Sequence, residues 1–85
     1  MRYRISQHAS QEMQRRNISE EVVAQVLHGP QQVVVERNAL IACQSQVYFE
    51  DGCLFLVRVI VNQEVDPAVV VTVYRTSKIE KYWRE

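Results

Sequence analysis

Ile18-Ser19-Glu20-Glu21-Val22-Val23-Ala24-Gln25-Val26-Leu27-His28-Gly29-Pro30 reads as a helix with both ends marked. Ser19 is an N-cap type, and Glu20 and Glu21 complement the positive end of the helix dipole. Ile18 can staple to Val23 across the cap. Val22, Val23, Val26 and Leu27 recur at helical spacing and form one apolar stripe. Gly29 suits a left-handed position after the last turn, and Pro30 blocks continuation. A stripe like this has to be buried against another layer, so the flanking segments decide the fold class.

Upstream, Ser6 can cap a second helix over residues 7–16, with Ala9 and Met13 on one face and Arg16 beside them. His8, Glu12 and Arg15 form a polar ridge along its flank. Residues 2–5 can add a leading edge strand. Downstream of Pro30 the period becomes strand-like. Residues 32–37 are valine-rich, and Arg37-Asn38-Ala39 suits a turn. In 40–49, Ile41, Cys43, Val47 and Phe49 alternate with Gln44 and Gln46, which predicts one buried and one wet face. Residues 53–61 are apolar on both sides except at Arg58, as expected of a central strand. Residues 68–75 are β-branched and predict another strand. Ser77 with Glu80 suggests a capping box for a short helix docked by Ile79, Tyr82 and Trp83.

Asp51-Gly52 is a strong two-residue hairpin signal. That turn would set Phe49 opposite Leu54, Cys43 opposite Ile60 and Arg58 opposite Ser45. Arg58 would then share a face with Cys43, Val47, Leu56 and Ile60. The same register separates Cys43 and Cys53 by roughly 20 Å, far beyond the span of a disulfide. Both are expected as reduced core fillers. The predicted fold is α+β in one domain over residues 1–85: two N-terminal helices packed on an antiparallel meander of three to five strands, then a short C-terminal helix.

The 85 residues carry zero net charge, unevenly placed. Arg2, Arg4, Arg15 and Arg16 against Glu12 leave the first nineteen residues at +3. Arg75, Lys78, Lys81 and Arg84 against Glu80 and Glu85 leave the last fourteen at +2. If the two ends meet, they form one basic patch on a neutral protein, a surface suited to anions. Scattered solvated charge is the plain alternative. No run of roughly 18 apolar residues suggests a membrane span, and no leader pattern follows the N-terminal arginines. The chain is expected in the cytoplasm, as a monomer or weak homodimer. No cofactor is expected, and the histidine and cysteine spacings match no metal motif.

Ile5-Ser6-Gln7-His8-Ala9, Met13 and Arg16-Asn17-Ile18-Ser19, with Val70-Val71-Thr72-Val73-Tyr74-Arg75, resemble the small bacterial proteins grouped as domain of unknown function 4258. The element order looks more loosely like the β-α-α-β-β-β RelE, ParE and BrnT toxins. That second resemblance implies an RNA substrate, an antitoxin-like protein partner and metal-independent RNA cleavage. Its strand, Ser/Thr cap and glutamate three residues on fit Ser77 and Glu80, while its strand arginine falls near Tyr74, with Arg75 adjacent.

On this reading His8 or Tyr74 moves protons, with Arg75 beside the phosphate. Arg16, Arg58, Lys78, Lys81 and Arg84 hold the anion, and Tyr82 and Trp83 stack on bases. Each has a structural counterpart. His8 can bond a neighbouring element, Arg58 can pair with Glu12 or Glu36, and the C-terminal aromatics can simply anchor a helix. A non-catalytic protein-interaction module on the same fold therefore stays open.

Overall fold

A computed structural model describes residues 1–85. The order is β1 (Tyr3–Ile5), α1 (Gln7–Arg15), α2 (Glu20–His28), β2 (Gln32–Val35), β3 (Leu40–Tyr48), β4 (Leu54–Asn62), β5 (Ala68–Thr76) and α3 (Ile79–Tyr82). The five strands form one sheet ordered β1-β5-β4-β3-β2. β2 through β5 are an antiparallel meander, as expected, but β1 joins β5 in parallel, so the sheet is mixed.

Local sequence explains the helix ends. The Ser6 and Ser19 hydroxyls accept the N–H groups of Ala9 and Val22 at 3.0 and 3.1 Å. The left-handed C-terminal residue is Asn17 (φ 56°), whereas Gly29 sits at φ −150° and needs no glycine freedom. The Asn17 N–H donates to the Gln14 carbonyl and the Ile18 N–H to that of Met13. This paired closure ends α1 and buries Ile18 against the same core as Met13. Asparagine tolerates that conformation better than most residues.

The core between the helices and the sheet unites Ala9, Met13, Ile18, Val23, Val26 and Leu27 with Cys43, Val47, Val57, Val59, Val61 and Val73. The opposite sheet face carries a smaller cluster, Val34, Ala42 and Ile60, with Leu40, Val71 and Tyr74 against it. The expected wet face of β3 is not wet: Gln44 is fully buried. Its cover is the C-terminal segment, since Tyr82 and Arg84 carbonyls accept from Gln44 and Gln32 at 3.2 and 2.6 Å. The helices are thus divided, two on one face and α3 on the other.

Two backbone irregularities decide where side chains point. The β3–β4 loop is three residues long, not two. The Phe49 N–H donates to Cys53 and that of Gly52 to Phe49, with Gly52 at φ 80°. This is a turn closed by a glycine bulge. It pairs Cys43 with Val59 and Gln44 with Arg58, one step from the expected register. A one-residue slip moves every side chain of a strand to the other face. Arg58, Leu56 and Ile60 therefore leave the helix face. The second irregularity lies in β5, where Ile60 pairs with Thr72 and Val61 with Val70, leaving Val71 as the extra residue. The bulge reverses the alternation, so Arg75 joins Val73 towards the helices and Tyr74 faces away.

The cysteines are free, but only Cys43 is buried. Burial pushes the Cys43 thiol above its usual value. Cys53 lies exposed beside the hairpin loop, which corrects the expectation that both fill the core.

Candidate functional site

Arg75 stands at the junction of two hollows on the helix side of the sheet. Its guanidinium carbon lies 4.2 Å from the Phe49 ring centre and 4.5 Å from that of Phe55. Those rings meet edge to face at 5.4 Å. No carboxylate pairs with Arg75. A guanidinium that keeps its charge and is positioned by ring faces alone has free N–H groups for an outside anion.

One hollow, about 420 Å³, is walled by Arg15, Arg16, Asn17, Phe55, Arg75, Thr76 and Ser77. Here the first helix and the end of the last strand meet, and three arginines converge with no carboxylate in the wall. Glu12 stands behind, accepting from Arg15 at 2.7 Å and from Arg16 Nε at 3.1 Å. Those hydrogen bonds, Arg15 first, hold the Glu12 carboxyl at about 2. The stabilisation is therefore present above the ordinary value of 4.5 and lost as pH falls towards 2. A carbon-detected NMR titration should give a Glu12 midpoint near 2. A midpoint in the ordinary glutamate range would mean the two arginines are not held.

The second hollow, about 640 Å³, lies between the α1–α2 turn and the β3–β4 hairpin. Its wall includes Met13, Ile18 and Val22 from the helices, and Tyr48, Phe49, Glu50 and Asp51 from the hairpin. Arg75 and Asn17 belong to both hollows.

The opposite face holds a closed polar network. The Arg58 side chain is only 4% exposed. It donates to Gln44 Oε1 at 2.7 Å, the Tyr74 hydroxyl at 2.5 Å and Glu36 Oε2 at 3.0 Å. Its guanidinium lies 4.6 Å from the centre of the Tyr82 ring. Every buried side-chain donor and acceptor has a partner. Burial raises the Tyr74 phenol above its usual value, with Arg58 opposing only in part. A neutral phenol already accepting from arginine is a poor base at neutral pH.

The expected residues accordingly separate. Arg16 and Arg75 come together with Ser77 at one groove. Arg58 and Tyr74 are on the other side of the sheet, because the two backbone irregularities put them there. Arg16 alone reaches towards both, 6.0 Å from the Tyr74 ring centre. His8 is exposed in the first turn of α1, roughly 12 Å along the helix axis from Arg16 at 1.5 Å per residue. Lys78, Lys81 and Arg84 are exposed on the C-terminal segment and line neither hollow. Ser77 caps no helix, since α3 starts after Lys78 and the Lys78 N–H goes to Thr76 Oγ1 at 3.0 Å.

Arg15, Asn17, Tyr48, Phe49 and Phe55 were not anticipated as site residues. Asn17 carries the one readable signal, an asparagine two residues before a capping serine. The Phe49–Phe55–Arg75 stack depends on the hairpin register and could not be read without it.

The model of the family described as Domain of unknown function (DUF4258) matches residues 5–75, a span that ends at Arg75 and excludes α3. No curated protein and no solved structure matches the chain.

Proposed function

This chain belongs to the DUF4258 family, and from its groove we propose that it binds single-stranded RNA through the phosphate backbone. The observation that carries this reading is Arg75, an arginine without a carboxylate partner, facing Arg15 and Arg16 across a hollow. Charge on the walls favours a polyanion, and the neighbouring aromatic rings suit a strand whose bases are unpaired. The looser resemblance to RelE, ParE and BrnT toxins supports RNA as that polyanion and would add an antitoxin-like protein partner.

Cleavage is the narrower form of the same reading. It would ask His8 or Tyr74 to move a proton beside Arg75, and neither lines the groove. That separation favours binding over cutting. The protein-docking alternative draws on Val33 and Val35, 57% and 81% exposed on the outer strand β2.

Fluorescence anisotropy with a labelled uridine-rich oligonucleotide tests the proposal. For single strands the logarithm of affinity falls with that of salt by about 0.7 per phosphate contact. Two or three contacts predict a slope between about −1.4 and −2.1. Arg75→Ala should weaken binding about tenfold and flatten the slope by about 0.7. No measurable binding, or a folded Arg75→Ala variant with unchanged affinity, would remove the reading.

A further inference from the structure

We propose that the larger hollow is a base-recognition pocket that prefers guanine, placed so that the same nucleotide's phosphate lies in the arginine groove. The inference rests on the RNA reading above and names what that site selects.

Charge is sorted between the two hollows. The smaller one has three arginines and no carboxylate in its wall. The larger has Glu50 and Asp51 at its rim, with Arg75 as its single cation. A phosphate is drawn to the first and repelled by the second. A base is uncharged and suffers no such penalty in the second hollow. Arg75 and Asn17 belong to both walls, so the hollows adjoin, and a nucleotide spanning them would pass over these two side chains with one end in each.

Carboxylates accept hydrogen bonds and donate none. Asp51 spends Oδ1 on the Cys53 N–H at 3.0 Å and keeps Oδ2, while Glu50 makes no hydrogen bond within the chain. The hairpin side of the rim therefore offers carboxylate acceptors, while Gln14, Asn17 and Ser19 line the helix side. Guanine presents adjacent ring N–H and exocyclic amino donors on its pairing edge, matching the two oxygens of one carboxylate. Adenine and cytosine offer only the amino group there, and uracil offers a single N–H between two carbonyls. The remaining wall suits a base plane. Tyr48 is 73% exposed and lines the hollow, leaving a ring open for stacking. Met13, Ile18 and Val22 supply the apolar side.

The test compares four labelled heptamers, uridine throughout except for guanosine, adenosine, cytidine or uridine at the centre. The guanosine heptamer should bind about tenfold tighter than the all-uridine one, the scale of one good bidentate base contact. Glu50→Gln combined with Asp51→Asn should reduce that preference to under about twofold, read as the ratio of guanosine to all-uridine affinity in the same variant. The Asn side chain keeps the oxygen that caps Cys53, so the loop is preserved. Four equal affinities in the wild type, or a guanine preference that survives the double substitution, overturns the pocket assignment while phosphate binding stands. Failure of all four heptamers to bind overturns the groove as well.

Discussion

Arg58→Ala should lower the unfolding free energy by about 3–5 kcal/mol, the range found when one partner of a buried charged network is deleted. For a small domain that is a Tm fall of at least about 12 °C. The size follows from what is abandoned. Gln44 is fully buried and loses the donor to its Oε1, and Tyr74 and Glu36 lose theirs. The Tyr82 ring loses the cation 4.6 Å from its centre. Leaving buried polar atoms without partners is costlier than never having placed them there. Replacing Arg58 by Met together with Glu36→Leu should therefore cost less than Arg58→Ala alone, since that pair removes both charges. Chemical denaturation of the three proteins decides it. A loss under 1 kcal/mol for Arg58→Ala would mean that the network adds no net stability.

That prediction differs from the one the bare sequence supports, and the difference has a local cause. Arg58 in an apolar strand signals a buried arginine that needs a carboxylate, and Glu36 is the partner found. Its face could not be read. Asp51-Gly52 is compatible with a two-residue turn, but the chain uses Gly52 as the bulge of a three-residue loop, and that choice flips β4 against β3. Val69-Val70-Val71-Thr72-Val73 has no feature that marks Val71 as the extra residue. Runs of similar β-branched side chains specify strand, not register.

The helices and the meander were legible because capping serines, helical spacing and strand alternation act within a few residues. The basic groove was half legible: the charge bias at both chain ends implied one basic patch only on condition that those ends met. They do meet, at Arg16 and Arg75. Lys78, Lys81 and Arg84 went elsewhere because Gln44 and Gln32 fasten the tail to the opposite sheet face. Buried glutamine as an anchor is invisible in an alternating strand, where it reads as a solvent position.

Removing residues 78–85 is the sharpest way to separate the two faces. The deleted segment carries Ile79, Tyr82 and Trp83, all half-buried, and the carbonyls that hold Gln44 and Gln32. Fully burying one large apolar side chain contributes about 1.5–3 kcal/mol, so three partly buried ones imply a loss of about 2–4 kcal/mol. The Arg58 network would also open to water, which adds to the loss. RNA affinity of the shortened chain, measured below its own Tm, should change less than threefold, because Arg15, Arg16 and Arg75 all remain. If the three C-terminal cations instead carry binding, affinity and salt slope would fall together, by about 0.7 in slope for each lost phosphate contact. A stable truncated chain that no longer binds RNA would move the site to the tail, and an unstable one that still binds keeps it at Arg75.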